Sequence, residues 1–434
     1  MSNIEIGIIG LGVLLLLLAL RMPVATAMML VGFGGHWAIS PRGAIPSLAA
    51  SSFDTTTIEA LTILPLFVLM GNLAGVSRMS RDLYDAAYAW VGHYRGGLAS
   101  STIIGCAGFS ALSGSSLASA VTMGRVALPE MQRYNYSNKL ATGAIAAGGT
   151  LGILIPPSAG FVVYAILTEE SIGRLFMAGV LPGIMLTGLF IGTIYLMVLV
   201  KPELGPPAET RKNFGQRMNA LVQAVPILIV IVATIGGIYL GVYSATEAAG
   251  IGCLLTFVFA LYRRSLTWSN FAEAVMNTLR STATTFLILI GAFVFTPFIS
   301  LSGIPDALLD LLTSLELGKL GLLALVLVFL VFLGTFMEGF AILVLTLPLL
   351  EPVLRSFGID MIWYGVLMVI VLEMGLISPP VGLNVFVVKS IAPDVPMNDI
   401  FKGIFPFWLA MGVALFILVL FPGIALMLPN TMFN

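Results

Sequence analysis

Two proline pairs, each within an apolar and glycine-containing run, are the strongest indication of a binding site in this sequence. They lie in GILIPPSAG (152–160) and GLISPPVGL (375–383). A proline in a helix has no amide hydrogen to donate to the carbonyl four residues back. Pro156 is therefore expected to free the carbonyl of Gly152, and Pro379 that of Gly375. In hydrocarbon such oxygens need protein, water or an ion as partner.

The two proline pairs belong to a long-range repeat. Pro156 precedes Pro379 by 223 residues, and Pro129 precedes Pro352 by the same distance. Repeats with broken helices near the bilayer midplane are typical of secondary transporters. The spacing therefore predicts two related halves with one site in each.

A serine-rich stretch precedes the first proline pair and could complete a site there. The stretch SALSGSS (110–116) contains Ser110, Ser113, Ser115 and Ser116. Hydroxyls together with free carbonyls form an oxygen cage that suits a small hard cation. We predict two cation sites related by the repeat.

The amino-acid composition indicates that these residues lie within a membrane-embedded protein. Only 9% of the 434 residues are charged, 59% are hydrophobic, and the mean hydropathy is +1.05. Soluble domains carry about 25% charged residues, so lipid must be the solvent for much of this chain. Cys106 and Cys253 lie in apolar runs without metal-ligand spacing, which predicts neither disulfide nor zinc. We predict no nucleic-acid partner.

Charge-poor stretches long enough to enter a bilayer recur along the whole chain. They cover 4–20, 23–41, 58–76, 97–128, 140–168, 175–200, 221–243, 245–262, 282–300, 320–350, 361–388 and 403–425. The stretches 97–128 and 320–350 are too long for one span and too short for two, and each is interrupted in its middle. This pattern predicts two re-entrant hairpins. Stretches 78–95 and 303–319 are expected to be amphipathic interfacial helices.

Basic residues give the orientation, because cytoplasmic loops carry excess Lys and Arg. With the N-terminus outside, one face receives Arg21, Arg78, Arg81, Arg95, Arg133, Lys139, Lys201, Arg211, Lys212, Arg217, Arg263, Arg264, Arg280 and Lys402. The other face receives only Arg42, Arg174, Lys319 and Arg355. We take the first face as cytoplasmic, so that both termini are predicted to be periplasmic.

This orientation makes the two halves inverted repeats. The first repeat covers 1–200, with a hairpin at 97–128 that opens from the cytoplasm and a broken helix at 140–168. A cytoplasmic linker follows at 201–219. The second repeat covers 220–434, with a periplasmic hairpin at 320–350 and a broken helix at 361–388.

Four segments carry a resemblance to one transporter family, and the resemblance covers essentially the whole chain. GTLGILIPPS, TEAAG, GTFME and LISPPVGLNVF are similar to the large membrane subunit of tripartite ATP-independent periplasmic (TRAP) transporters. The resemblance implies an elevator-type mechanism and Na⁺ as coupling ion. It also implies two partners, a small four-span membrane subunit and a periplasmic substrate-binding protein.

The resemblance further implies which residues hold sodium. Its first site maps onto Ser110, Ser113, Gly152, Ile155 and Pro156. Its second maps onto Gly334, Gly375 and Ser378. The family typically has an aspartate where this chain has Glu338, so the geometry there departs from the family pattern.

Charges inside the membrane are expensive and suggest function by default. Glu338 lies at the tip of the second hairpin and could contact substrate or a coupling cation, or take up a proton. The alternative is a structural carboxylate that caps the adjacent half-helix. Arg125 lies in the returning arm of the first hairpin and could attract an anion. Glu373 and Lys389 flank the second broken helix and are interpreted as structural.

Taken together, the sequence predicts an all-α integral membrane protein of the inverted-repeat elevator type, with about ten spanning helices, two hairpins and two broken helices. The predicted function is sodium-coupled import of a small organic anion, delivered by a binding protein, across the bacterial inner membrane. A stand-alone ion–carboxylate symporter or a proton-coupled antiporter remains an alternative. An intramembrane enzyme would need a nucleophile and base at helical spacing, which we do not find; a channel is a third alternative.

Overall fold

The structure is a computed structural model that describes residues 1–207 and 211–432. Within these ranges all regular secondary structure is helical. The predicted linker 201–219 lies within these ranges except for residues 208–210. Residues 433–434, at the end of the predicted second repeat, lie outside the described residues. The assignment of membrane sides and of inverted repeats stays a prediction.

The first half contains ten α-helices, numbered here in chain order. They are α1 (Asn3–Ala19), α2 (Val24–Ile39), α3 (Pro41–Thr57), α4 (Ile63–Val76), α5 (Met79–Val91), α6 (Gly97–Ser113), α7 (Ser116–Arg133), α8 (Asn138–Leu154), α9 (Ala159–Thr168) and α10 (Ile172–Val200). Short 3₁₀ turns lie at Glu59–Thr62 and Pro202–Leu204.

The second half contains eleven α-helices among the described residues. They are α11 (Phe214–Ile231), α12 (Gly237–Tyr239), α13 (Ala245–Tyr262), α14 (Trp268–Ser302), α15 (Ile304–Ser314), α16 (Lys319–Gly334), α17 (Gly339–Ser356), α18 (Met361–Leu376), α19 (Leu383–Ile391), α20 (Met397–Leu420) and α21 (Gly423–Thr431). A π-turn, Val232–Gly236, joins α11 to α12.

Many of these helices can cross a membrane by length and composition. Eight helical segments of the described chain qualify in full, and five shorter apolar helices accompany them. The shorter ones include α6, α16 and α18, which belong to the hairpins and broken helices. The count agrees with about ten spanning helices supplemented by elements that enter only part of the bilayer.

Both predicted hairpins are present. Helices α6 and α7 are joined through Gly114 and Ser115, and α16 and α17 through 335–338. Gly114 has φ +59° and ends α6, while Ser115 begins α7 by accepting a hydrogen bond from the amide of Ala118. The returning arms are longer than predicted, because α7 continues to Arg133 and α17 to Ser356.

Both predicted broken helices are also present. Residues 155–158 separate α8 from α9, and 377–382 separate α18 from α19. The proline pair lies inside each break, and the peptide bonds Pro156–Pro157 and Pro379–Pro380 are both cis. Each break thus falls where a proline interrupts the helical hydrogen-bond pattern.

Helices α8 and α18 form the centre of the molecule. All sixteen residues of α18 are buried, and α8 packs against α6, α7 and α20. A helix that is apolar on every side belongs in a protein interior. The hairpins and broken helices therefore pack as one group around these two buried helices.

A second group of helices packs at the side of the first. Helix α14 runs along α2 and also contacts α4, while α4 packs on α13. These helices expose large apolar side chains such as Leu30, Leu254 and Leu287, as expected for surfaces that face lipid. Helices α5 and α15 lie where amphipathic helices were predicted.

Three elements differ from the expected spans. Helix α3 was not predicted, because its sequence combines serines and threonines with Asp54. Helix α21 was also not predicted. Helix α14 begins at Trp268, well before the predicted 282, because a helix can continue beyond the hydrocarbon without apolar residues.

Candidate functional site

The first hairpin tip contacts the first break through the backbone. The amide of Ala159 donates to the carbonyl oxygen of Gly114 at 3.3 Å. A Cβ atom on Gly152 would lie 2.5 Å from the carbonyl oxygen of Ser115. This distance is shorter than van der Waals contact, so only glycine lets the hairpin approach α8 this closely.

Among the described residues no backbone amide outside α8 donates to the carbonyl of Gly152, as the sequence predicted. The amide of Ile155 donates to the carbonyl of Leu151 at 2.9 Å, and Pro156, which would be next in line, has no amide hydrogen. Ile155 is the C-cap residue that follows α8, and Pro156 is buried beside it. The break thus presents main-chain oxygen within a buried environment.

The serine hydroxyls of the hairpin tip are buried and keep acceptor capacity. Ser110 Oγ donates to the carbonyl of Cys106 at 2.6 Å. Ser113 Oγ and Ser119 Oγ are 2.8 Å apart and share one hydrogen bond. A hydroxyl oxygen has two lone pairs, so both Ser110 and Ser113 can still offer an electron pair to a cation.

The second hairpin meets the second break in the same manner. A Cβ atom on Gly375 would lie 2.4 Å from the Cα of Gly334, and one on Gly334 would lie 2.8 Å from the Cα of Gly375. Helices α16 and α18 therefore touch backbone to backbone at this point. The two residues come from segments 41 positions apart in sequence, and the fold brings them into direct contact.

The carbonyl of Gly375 differs from the expectation that it would be unpaired. The amide of Ser378 donates to it at 2.9 Å, because the chain tightens into a turn as α18 ends. The prediction of a fully free carbonyl was therefore wrong at this position. A carbonyl oxygen has two lone pairs, and one remains available.

Ser378 is held by a tryptophan that no sequence pattern indicated. Ser378 Oγ donates to the carbonyl of Met374 at 2.6 Å, and Trp408 Nε1 donates to Ser378 Oγ at 2.9 Å. Trp408 belongs to α20, outside both the hairpin and the break. These two bonds fix the orientation of the hydroxyl that the resemblance assigns to the second sodium site.

A cavity of about 410 Å³, here called the central cavity, lies between the two groups of helices. It is lined by the tip of the first hairpin at Ser113–Ala118, by Glu338 and Phe340 of the second hairpin, and by parts of α4 and α14. Its volume falls within the range of small-molecule sites, about 300–1,000 Å³. Ser113 of the first hairpin and Glu338 of the second thus border one common space.

Glu338 lines this cavity at the N-cap position of α17. The side chain is half-buried and stands at the positive end of the helix dipole, which stabilises a carboxylate. It also borders a smaller cavity of about 50 Å³, here called the inner cavity. Glu338 therefore lies between the space open to a substrate and the space next to the broken helices.

Glu373 lines the inner cavity, which the sequence analysis did not foresee. The residue is 1% exposed. Asn384 Nδ2 donates to Glu373 Oε2 at 3.5 Å, whereas Glu373 Oε1 has no hydrogen-bond partner among residues 1–207 and 211–432. A purely structural carboxylate is normally satisfied when buried, so the interpretation of Glu373 as a structural residue does not account for this geometry.

Arg125 lies away from Glu338. It is exposed on α7 and lines a third cavity of about 300 Å³ together with Gln132 and Asp394.

Another arginine borders the central cavity instead. Arg280, on α14, lines it together with residues of both hairpins, although its charge alone had suggested only a cytoplasmic basic residue.

The donor atoms assembled at the two hairpin contacts are hydroxyl and carbonyl oxygens. Oxygen ligands without nitrogen or sulfur suit hard cations such as Na⁺ rather than transition metals. Within the described chain no cluster of three or more His, Cys, Asp or Glu side chains could hold a metal ion. The residues present therefore fit an alkali cation at both contacts.

The fold and this site define the class of the protein. It is an all-α integral membrane protein of the transporter type, with two hairpins and two broken helices. Both hairpins, the first broken helix, α4 and α14 line its central cavity. The particular family follows from sequence comparison. Residues 11–424 match the family described as "Tripartite ATP-independent periplasmic transporter, DctM component". The chain belongs to this family, as a large permease subunit.

Two relatives in sequence and one solved structure are similar to this chain. The C4-dicarboxylate TRAP transporter large permease protein DctM of Pseudomonas aeruginosa is 35% identical over 387 residues, which are 89% of this chain and 90% of that protein. The isethionate TRAP transporter permease protein DctMQ of Oleidesulfovibrio alaskensis is 30% identical over 417 residues, 95% of this chain and 65% of that protein. The fold resembles that of the YdaH transporter of Alcanivorax borkumensis, with a TM-score of 0.66, 16% identity and 88% of both chains covered.

Proposed function

We propose that this chain imports a small organic anion across the bacterial inner membrane, driven by a sodium gradient. The observation that carries the proposal is the repeated contact of a hairpin tip with a broken helix. At one contact Gly152 approaches Ser115, and at the other Gly334 approaches Gly375. Both contacts gather hydroxyl and main-chain oxygens that match the preference of a small hard cation.

The first proposed sodium site is formed by Ser110, Ser113, Gly152, Ile155 and Pro156. The second is formed by Gly334, Gly375 and Ser378. A cation bound at either site would bridge a hairpin to a broken helix, and the bridge stabilises the arrangement that encloses the central cavity. This coupling of ion binding to hairpin closure gives sodium a direct influence on substrate binding.

The proposed substrate is a carboxylate or a sulfonate. Family relatives carry the names of a C4-dicarboxylate and an isethionate transporter, and both compounds are small organic anions. The central cavity, about 410 Å³ in volume, has room for such a molecule. Hydroxyl side chains and one arginine at its wall supply donors for acidic oxygens.

Two partners belong to the proposal. Membership of a tripartite family supports a small membrane subunit and a periplasmic binding protein that delivers the anion. This chain accounts for 65% of the DctMQ protein, which leaves a length sufficient for a second membrane component within that single chain. The same proposal places this chain in the inner membrane with its termini in the periplasm.

Transport would follow an elevator mechanism. The hairpins and broken helices pack around α8 and α18, whereas α2, α4 and α14 form the neighbouring group. The central cavity lies at the boundary between the two groups. Movement of the hairpin group along the other would carry the cavity contents from one membrane face to the other.

The test is uptake into proteoliposomes that contain the purified permease with its small membrane subunit. Uptake of radiolabelled succinate, isethionate and N-acetylneuraminate is followed after addition of the binding protein, with an inward sodium gradient or with choline. We expect uptake of one anion that requires both sodium and binding protein. Uptake without binding protein would instead support a stand-alone symporter, and uptake driven by a pH gradient in choline would support a proton-coupled antiporter.

A further inference from the structure

A hydroxyl-rich turn of α14 forms one wall of the central cavity. The sequence RSTATT (280–285) places Arg280, Ser281, Thr282, Thr284 and Thr285 at this wall. Helix α14 belongs to the group that packs on α2 and α4, so the wall does not belong to the hairpins. Glu338 and the tip of the first hairpin line the same cavity from other elements of the fold.

Arg280 is placed to offer its guanidinium to a ligand. The residue is exposed to the cavity, and no described residue forms a salt bridge with it. The register of α14 is fixed just before it, since Asn72 Nδ2 on α4 donates to Thr278 Oγ1 at 3.0 Å. A guanidinium on a fixed helix, with all its donors available, matches the planar geometry of a carboxylate or the face of a sulfonate.

The threonine hydroxyls next to Arg280 differ in what they can still donate. Thr284 Oγ1 donates to the carbonyl of Arg280 at 2.9 Å, and Thr285 Oγ1 to that of Ser281 at 3.0 Å. Thr282 Oγ1 is buried and, within the part of the chain described here, lacks a hydrogen-bond partner. A buried unpaired hydroxyl is unfavourable, and an acidic oxygen beside Arg280 would satisfy it.

The cavity is therefore electrostatically polarised. Arg280 stands at the wall formed by α14, and the carboxylate of Glu338 stands at the hairpin wall. An organic anion would be repelled at Glu338 and attracted at Arg280, so its acidic group has one favourable orientation. In an anion such as isethionate, the hydroxyl group would then face Glu338 and Ser115, whereas the second carboxylate of a dicarboxylate such as succinate would be disfavoured there.

We propose that Arg280 and Thr282 form the anion-recognition site of the central cavity and determine specificity for a carboxylate or sulfonate group. This inference rests on the proposed import of an organic anion and names the side chains that select it. Because α14 lies outside the hairpin group, the anion is held by Arg280 in the present arrangement of the two groups and is released from it when they move apart.

The first test measures thermal stabilisation of the purified full-length chain in sodium chloride by succinate, isethionate or N-acetylneuraminate. For the anion that stabilises the wild type, Arg280→Gln should raise the half-maximal concentration by about tenfold or more, as loss of a charged hydrogen bond predicts. Arg280→Lys should keep part of the effect, because a single ammonium cannot bind two oxygens at once. Arg42→Gln, the same change at an exposed arginine on α3, should have no effect.

A second measurement does not depend on binding strength. In Arg280→Cys the new thiol should react with N-ethylmaleimide, and the stabilising anion should slow that reaction. The native Cys106 and Cys253 are buried and give a low background. Arg42→Cys should react at the same rate with and without the anion.

The outcomes separate this inference from the function on which it rests. If one anion stabilises Arg280→Gln as well as the wild type and leaves labelling of Arg280→Cys unchanged, the recognition site is wrong while the import of an anion stands. If none of the three anions stabilises the wild type, the proposed substrate class fails and the inference falls with it.

Discussion

Gly334 and Gly375 face each other so closely that a Cβ atom added to Gly375 would lie 2.4 Å from the Cα of Gly334. The contact joins the end of α16 to the end of α18, which are the second hairpin and the second broken helix. Both partners at this point are backbone atoms, so no flexible side chain can give way. The second hairpin therefore closes on its broken helix only if both residues remain glycine.

This contact predicts a severe effect of one methyl group. Gly375→Ala should lower the free energy of unfolding by about 1–3 kcal/mol or more, because the backbone must move to avoid the overlap. The matched control is Gly412→Ala in α20, where a Cβ would have no atom within 4 Å and alanine favours the helix. Chemical denaturation in detergent measures both. Equal stability of the two variants would contradict the close contact.

Comparison of two serine variants distinguishes the loss of a structural hydrogen bond from the loss of a sodium ligand. Ser113 and Ser119 share one hydrogen bond at 2.8 Å, but only Ser113 belongs to the first proposed site. Ser113→Ala and Ser119→Ala should each cost about 1 kcal/mol in choline, since each removes that bond. Only Ser113→Ala should also reduce the additional stabilisation by sodium. Equal sodium responses in the two variants would remove Ser113 from the site.

The second site allows a similar comparison between two tryptophans. Trp408 Nε1 donates to Ser378 Oγ at 2.9 Å, and Trp363 Nε1 donates to the carbonyl of Leu418, also at 2.9 Å. Trp408→Phe and Trp363→Phe should therefore destabilise the protein to a similar extent, about 1 kcal/mol each. Trp408→Phe alone should raise the sodium concentration needed for half-maximal stabilisation, because it frees the Ser378 hydroxyl to turn. A normal sodium response in this variant would count against Ser378 as a ligand.

Glu338 is predicted to act on the substrate and not on sodium. It lines the central and inner cavities but belongs to neither proposed sodium site. Glu338→Gln should reduce anion uptake by about tenfold, as the loss of one charged hydrogen bond predicts, and leave sodium stabilisation unchanged. Glu273→Gln, on the exposed part of α14, should alter neither. Loss of the sodium response in Glu338→Gln would make Glu338 a cation ligand.

The elements that contain the candidate site could be predicted from the sequence alone. Proline pairs at 156–157 and 379–380 located both breaks, because two consecutive residues without an amide hydrogen remove two successive helical hydrogen bonds. Single prolines do not have this effect here, since Pro182 and Pro297 lie inside the continuous helices α10 and α14. Small and polar residues between long apolar arms located both hairpin tips, which the structure has at Gly114–Ser115 and at 335–338. These features are local, and local chemistry determines them.

Features that depend on neighbouring helices could not be predicted. Arg280 was assigned to a loop because a search for apolar spans ends at charged residues, yet α14 extends to Trp268 and turns Arg280 toward the cavity. Trp408 contacts Ser378 across 30 positions of sequence. No local pattern indicates such a partner, because the packing of α20 on the buried helices creates it.

The hydrogen bond to the carbonyl of Gly375 could be predicted only in part. The sequence correctly indicated that Pro379 cannot donate to its carbonyl, but the amide of Ser378 donates instead. A proline removes one donor and leaves the path of the chain through the break undetermined. The burial of Glu373 was likewise not predictable, and its Oε1 has no hydrogen-bond partner in the described part of the chain.

The most direct test of the central claim compares the melting temperature of the purified protein in sodium chloride and in choline chloride at equal ionic strength. A ligand that binds only the folded state stabilises it by about 2.7 kcal/mol at 100 times its Kd. We predict a higher melting temperature in sodium, and a smaller difference for Gly152→Ala than for Gly188→Ala, where a Cβ meets no atom within 4 Å. Identical melting curves of the wild type in the two salts would contradict sodium binding at the hairpin contacts.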